Sequence, residues 1–298
     1  MRTARGAGDA GRSGKCGRCP GFLGPRRVTI VGSVTTMEAK LLVVGGGRMG
    51  GALVLGLLGA GWSPTDIVVV EPSARRRAEL AHQVPLVEVR TEVSAAAAAV
   101  IAVKPAIGEE ACRALSRVGV SRVLSIMAGV PLARLESWLP GSTAVVRAMP
   151  NSPATVGAGV SAVAAGSRAT DHDVAWAEEL LGAVGHVVRL PESSLDAVTG
   201  LSGSGPAYLF LVVEALIEAG MAVGLSEEVS RLLVVDTLAG SARLLVDSGE
   251  TPQSLREAVT SPGGTTEAGL RVLEDRGVRG AITAAVAAAT ERSRQLAR

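Results

Sequence analysis

Leu41-Leu42-Val43-Val44-Gly45-Gly46-Gly47-Arg48-Met49-Gly50 reads as a buried strand, a tight turn and the opening of a helix in ten residues. A short continuous apolar run bounded by glycines has the pattern of a strand covered on both faces. In the spacing Gly45-x-Gly47-x-x-Gly50 the first glycine makes the turn and the second lets a pyrophosphate lie against the backbone. The third lets helix and strand pack closely. Gly46 completes the turn, and Arg48 and Met49 begin the helix. The ligand such a turn takes is a nicotinamide dinucleotide.

Outward from this turn the pattern repeats. Apolar runs at 67–70, 100–103, 123–126 and 144–146 alternate with amphipathic segments long enough for crossover helices, which predicts a doubly wound parallel sheet of Rossmann type. Weaker runs at 160–164 and 186–190 extend it, with Asp171 as the cap of the helix between them. Glu71 ends the 67–70 run, where an acid bonds the ribose hydroxyls of NAD. Ser73, Arg75, Arg76 and Arg77 follow at once. Such a basic cluster is either a holder of the NADP 2′-phosphate or a solvated helix face, so the residues leave NADPH and NADH both open. Lys104-Pro105 closes the 100–103 run, and because Pro105 cannot continue a strand the chain turns there beside the cofactor. Lys104 is one of three lysines, with Lys15 and Lys40, and reads either as a site residue or as an ordinary surface lysine.

From about 195 onward the chain reads as helical. Pro206 takes a first helical position behind Ser204 as cap, and Tyr208, Leu211, Val212, Ala215, Leu216 and Ala219 follow at helix spacing. Ser226 opens a helix to about 247 and Thr251-Pro252 opens a short one. Two more follow, broken at Gly277. The runs 232–235 with Leu238, and 281–289, are apolar on more than one face, which predicts association into a dimer or larger. The predicted division is an extension over 1–36, read as disordered or as lying ahead of a true start at Met37, a dinucleotide-binding domain over 37–194 and an all-helical dimerisation and substrate domain over 195–298.

Composition narrows the partners. The 298 residues are 47% hydrophobic and 19% charged with a formal net charge of +2, enough for a large core and without the basic stripe that nucleic acid requires. Aromatics make up 2%, which removes stacking platforms. Glu214 and Glu218 interrupt the longest apolar candidate, 209–223, so no membrane partner is expected. Cys16, Cys19 and Cys112 are too few for a disulfide framework and fit a reducing cytoplasm. The Cys16/Cys19 pair lacks the second ligand pair of a structural zinc site, so no metal is expected.

A second ligand is written into Ser261-Pro262-Gly263-Gly264-Thr265-Thr266-Glu267. The N–H groups of Thr265, Thr266 and Glu267 open a helix, have no intrahelical acceptor and carry the positive end of its dipole, a place for a carboxylate. Ser202-Gly203-Ser204-Gly205-Pro206-Ala207-Tyr208 is a glycine turn of the same kind. Hydride transfer to a ketone needs a protein acid, and the segment 195–298 contains neither lysine nor histidine. A protonated imine escapes that requirement, because its carbon is already electrophilic and its reduction leaves a neutral amine.

The segments 43–50, 102–105, 147–153, 196–208 and 258–270 together resemble the pyrroline-5-carboxylate reductase family over residues 40–295, and Leu201–Tyr208 (LSGSGPAY) combined with Ser261–Thr266 (SPGGTT) is highly specific. The resemblance implies NAD(P)H-dependent reduction of the cyclic imine 1-pyrroline-5-carboxylate to L-proline, in a dimer or dimer-based decamer joined through the helical domain. It implies that Ser261 and the backbone around Gly263, Gly264, Thr265 and Thr266 hold the substrate carboxylate, with the Thr266 hydroxyl as the catalytic group facing the ring nitrogen. It further implies that Gly47, Arg48 and Met49 meet the pyrophosphate, that Val103, Lys104 and Ala128 line the nicotinamide side, and that Asn151 closes the floor. Glu192 either touches the substrate amine or begins a helix. The family often carries a small polar residue where this chain has Glu71, which speaks against strict NADP preference, and its members begin near Lys40. Two other readings compete: a broader imine reductase or a ketoacid reductase using water as acid, and a nucleotide-sensing regulator, which would have no need of a second anion site.

Overall fold

In a computed structural model of the chain, residues 39–297 are described; the expectations for 1–36, including the Cys16/Cys19 pair, lie outside them. The first part runs β1 (Ala39–Val44), α1 (Arg48–Gly59), β2 (Ile67–Val70), α2 (Ala74–Gln83), β3 (Glu88–Arg90), β4 (Ala96–Ile101), α3 (Gly108–Arg117), β5 (Arg122–Ser125) and α4 (Leu132–Trp138). It continues with β6 (Ala144–Met149), β7 (Gly159–Ala165), α5 (Asp171–Gly182) and β8 (Gly185–Arg189). The eight strands form one sheet in the order β3-β2-β1-β4-β5-β6-β7-β8. Every pair is parallel except β6 with β7. The order reverses beside β1, leaving a crevice outside the carboxyl ends of β1 and β4, the place where such sheets bind ligands.

The sheet is held by burial on both faces. In β1 Leu41 and Val43 face one layer, with Leu53 and Leu57 of α1, Leu80 of α2 and Leu180 of α5. Leu42 and Val44 face the other, with Cys112 and Leu115 of α3 and Leu135 of α4. Burying each Leu or Val in this way stabilises by about 1.5 to 3 kcal/mol relative to exposure.

Three details depart from expectation. Strand β4 begins at Ala96, in an alanine run, and ends at Ile101, because pairing with β1 from Ala39↔Ala96 to Val44↔Ile101 fixes its span. Tertiary pairing overrides alanine's weak strand preference. The short edge strand β3, Glu-Val-Arg, carried no apolar run to announce it. Helix α5 is capped by Thr170 and not by Asp171. The Thr170 hydroxyl accepts from the Asp173 N–H, and the Asp173 carboxylate accepts from the Thr170 N–H, which makes a capping box.

Beyond β8 the chain is helical: α6 (Leu195–Val198), α7 (Gly205–Ala222), α8 (Glu227–Ser248), α9 (Pro252–Ala258), α10 (Thr265–Asp275) and α11 (Val278–Ala297). Ser226 and Thr251 cap α8 and α9 as expected, their hydroxyls accepting from Val229 N–H and Ser254 N–H. Ser204 does not cap α7. A π-helical turn over Thr199–Gly203 carries α6 into α7 without a break, so Ser204 already has helical backbone angles. The resulting run Glu192–Ala222 is long and apolar enough by length and composition to cross a membrane, so Glu214 and Glu218 do not cut the apolar stretch short as the sequence reading supposed. None of the residues of α7 is buried within a single chain.

Candidate active site

The glycine turn sits where β1 meets α1, and its geometry is that of a phosphate cradle. Gly45 has φ of +105°, a conformation that only glycine adopts readily. A Cβ on Gly50 would run into the carbonyl oxygen of Gly45, so the first turn of α1 can press against the loop only without a side chain there. Around Gly47, the N-cap of α1, nothing lies within 4 Å of where a Cβ would stand. The loop therefore leaves room for a ligand on that side of Gly47. Next to it is a cleft of about 570 Å³ lined by Gly45, Val70, Pro72, Glu92, Val103 and Ile107. A dinucleotide fits these residues, with its pyrophosphate on the open N–H groups of α1.

Glu71 stands at the exit of β2. Its Oε2 accepts from the Gly46 N–H at 3.0 Å and its Oε1 from the Ser73 N–H at 2.9 Å, so it is part of the loop wall. The arginines behind it separate. Arg75 points outward and lies 3.7 Å from Glu79. Arg76, on the α2 face that also carries buried Leu80, donates from Nε to the Gly46 carbonyl, from Nη1 to Glu79 at 2.8 Å and from Nη2 to the Gly47 carbonyl at 3.4 Å. Ser73 caps α2, its hydroxyl accepting from the Arg76 N–H. Arg76 was thus the cluster member to single out, and its i, i+4 relation to Leu80 was the signal.

Val103, Lys104 and Pro105 follow β4 at the same edge, with Lys104 exposed and opening a single 3₁₀ turn, Pro105–Ile107. Ala128 is exposed in the loop after β5. Asn151 is buried, with both ends of its amide in use: Nδ2 donates to the Ser202 carbonyl at 3.2 Å and Oδ1 accepts from the Val160 N–H at 2.9 Å. It ties the exit of β6 to the π-turn. Tyr208 supports the same turn, its hydroxyl donating to the Gly200 carbonyl at 3.1 Å. Glu192 begins a 3₁₀ turn, Glu192–Ser194, and its Oε1 accepts from Arg147 Nη1 at 2.7 Å and from the Leu132 N–H at 2.6 Å. Of the two sequence readings for Glu192, this geometry favours the structural one. Cys112 is buried, and burial, reinforced by Glu109, pushes its thiol up to about 12, which removes it from nucleophilic chemistry at neutral pH.

The turn over 261–264 leads into the start of α10. Gly264 is the N-cap and has no side-chain cap bond. The Gly264 N–H donates to the Ser261 carbonyl at 3.0 Å, and the Gly263 N–H to Glu267 Oε2 at 2.7 Å. Among the described residues the hydroxyls of Thr265 and Thr266 enter no hydrogen bond, so neither is needed to cap the helix. Gly263 and Gly264 border a cleft of about 680 Å³ that also carries Arg256 and Arg271. The hydrogen bonds of this turn are all local, so a single chain does not bond it to the dinucleotide turn.

Comparison with known proteins gives these two regions counterparts. Residues 192–296 match the family model described as pyrroline-5-carboxylate reductase dimerisation, and residues 40–129 match one described as NADP oxidoreductase, coenzyme F420-dependent. The pyrroline-5-carboxylate reductase of Mycobacterium tuberculosis is 44% identical over 285 residues, spanning 87% of this chain and 97% of its own. That of Synechocystis is 41% identical, spanning 87% and 99%. Among solved structures, the pyrroline-5-carboxylate reductase of Coxiella burnetii superposes with a TM-score of 0.81 at 33% identity, covering 88% of this chain and 99% of that one. The Plasmodium falciparum pyrroline carboxylate reductase with NADP bound gives 0.77 at 29% identity, covering 87% and 98%.

Proposed function

Since the chain belongs to the pyrroline-5-carboxylate reductase family, we propose how its own residues share out the reaction. It reduces 1-pyrroline-5-carboxylate to L-proline with NAD(P)H and forms homo-oligomers. The cofactor supplies the hydride. The division of labour falls at 194/195, the domain over 37–194 holding the dinucleotide and the helices over 195–298 carrying the substrate and the interface.

On the nucleotide side, Gly45, Gly46 and Gly50 shape the turn, while Gly47, Arg48 and Met49 offer N–H groups to the pyrophosphate. Glu71, Ser73 and Arg75 flank the ribose. Val103, Lys104, Pro105 and Ala128 wall the nicotinamide, and Asn151, its amide spent on Ser202 and Val160, makes a fixed floor. On the substrate side, Ser261 and the N–H groups from Gly263 to Thr266 receive the carboxylate. Thr266 orients the ring: its hydroxyl oxygen accepts from the protonated imine nitrogen, keeping the proton there while the carbon receives hydride. The product is a neutral amine, so no acid is required of a segment that has neither lysine nor histidine. Glu192 acts at one remove, through Arg147. A dimer-based decamer and a cytoplasmic location complete this reading.

The observation that carries it is the Gly264 cap, which leaves the hydroxyls of Thr265 and Thr266 both free of structural duty. Thr266→Ala is expected to lower turnover about ten- to a hundredfold, the worth of a lost hydrogen bond to a charged group in the transition state, with melting temperature and nucleotide affinity unchanged. Thr265→Ala, whose backbone N–H and not its hydroxyl is assigned to the carboxylate, is the matched control. Equal small losses in both variants would return Thr266 to a spectator.

A further inference from the structure

We infer that the dinucleotide site of this chain selects NADH over NADPH, and that Glu71 is the residue responsible. The inference rests on the reading of the 45–50 turn as the dinucleotide site and goes beyond it by naming the ligand.

Glu71 is fixed, not free to swing. Both carboxylate oxygens are held by backbone donors, Gly46 N–H and Ser73 N–H, one on the phosphate turn and one on the start of α2. An ionised carboxylate has about four lone-pair sites, so two acceptor positions remain after these bonds. A ribose with free hydroxyls brings donors for them. A 2′-phosphate brings none: it carries close to two negative charges at neutral pH and only acceptor oxygens, and it would have to lie against the carboxylate.

A site that admits a 2′-phosphate must answer it with cations, and here those nearest Glu71 are either engaged on the loop or exposed to solvent. Arg76 uses Nε on the Gly46 carbonyl, Nη1 on Glu79 and Nη2 on the Gly47 carbonyl. Arg77 holds Nη1 between the carbonyls of Glu71 and Pro72, at 3.0 and 2.7 Å. Arg75 is turned to solvent, its side chain 89% exposed. Arg90, beside β2 in the sheet, donates twice to Glu88. Of the basic cluster that the sequence displays, Arg76 is therefore matched by Glu79 and Arg77 is held on backbone carbonyls, while Arg90 is matched by Glu88 and the hydroxyl of Ser73 is engaged as a helix cap. The cluster supports the loop and does not present an empty anion hole.

The test is equilibrium binding to the full-length protein, without substrate, by the fluorescence of the reduced nucleotide. NADH is expected to bind about tenfold or more tightly than NADPH, given the strength of like-charge repulsion at such range near a protein surface. Glu71→Ser is expected to tighten NADPH and weaken NADH, closing or reversing the ratio. Glu71→Gln, which removes the charge and keeps the length, is expected to relieve most of the penalty on NADPH, and thermal melts establish that each variant is folded. Tighter binding of NADPH by the unaltered chain, or a ratio that both variants leave in place, overturns the assignment of Glu71 while leaving the dinucleotide site standing. Binding of neither nucleotide overturns both.

Discussion

Arg147 and Glu192 join the sheet to the first turn of the helical segment: Arg147 Nη1 donates to Glu192 Oε1 at 2.7 Å, with the arginine side chain 7% exposed and the glutamate side chain 33%. The same oxygen accepts from the Leu132 N–H at the start of α4. One carboxylate thus fixes β6, α4 and the entry to α6. The asymmetry in burial predicts an asymmetry in cost. Glu192→Ala strands a buried cation and is expected to cost about 3 kcal/mol or more, lowering the melting temperature by on the order of 10 °C. Arg147→Met strands only a part-exposed carboxylate that keeps the Leu132 N–H, and is expected to cost distinctly less. Melting curves of the two variants decide it, and a larger loss from Arg147→Met would mean that the pair is not what anchors this junction.

The capping box of α5 gives the fold an acid-sensitive point. Burial pushes the Asp173 carboxyl up, but the Thr170 hydroxyl and N–H and the Arg122 guanidinium outweigh it, and the group is held below its ordinary value. A carboxyl depressed by folding contributes stability that is complete above its unfolded pKa and is lost as pH falls through the folded one. Asp173→Asn is therefore expected to be less stable than the unaltered chain by about 1 to 2 kcal/mol at neutral pH. That gap should hold down to about pH 5 and narrow below about pH 4. Melts from pH 7 to pH 3 measure it, and a gap of constant size to the acid end would remove Asp173 from the account of acid stability.

How far the sequence could be read depended on how local the cause was. The runs at 41–44 and 67–70 were legible as strands because a parallel strand buried on both faces needs unbroken apolar residues, and both are buried in the structure. Edge strand β3 was not, since Glu88 and Arg90 face solvent enough to pair with each other. Alanines 96–99 concealed a strand because their small side chains carry little hydrophobic contrast, and pairing with β1 and β5 on either side fixes them. The glycine turn was legible through its spacing. The partners of Glu71 and Glu192 were not: Gly46 lies 25 residues and Arg147 45 residues away in sequence, and no local pattern records such a pairing. The π-turn at Thr199–Gly203 was hidden for the same reason, since Asn151 and Tyr208 take up two of its carbonyls from outside the turn.

The exposed apolar surface of α7 and α8 predicts where the homo-oligomer is joined. Phe210 and Leu232 are both 61% exposed in the single chain, and α7 buries none of its residues. Contiguous apolar surface of that extent marks an interface, and covering each such side chain is worth about 1.5 to 3 kcal/mol. Residues 192–296, which match the dimerisation model, include both helices. Leu232→Arg would force a charge into that contact, whereas Leu86→Arg, at a leucine 78% exposed between α2 and β3, puts the same charge on a surface outside the helical segment. Light scattering at micromolar concentration is expected to show Leu232→Arg shifted to a smaller species and Leu86→Arg unchanged. Nucleotide binding should survive in both, because the 45–50 turn belongs to the sheet domain. Turnover should fall only in the variant that dissociates, if the turn at 261–266 is completed across the interface. A Leu232→Arg protein of undiminished mass would move the interface to another face of the helical segment.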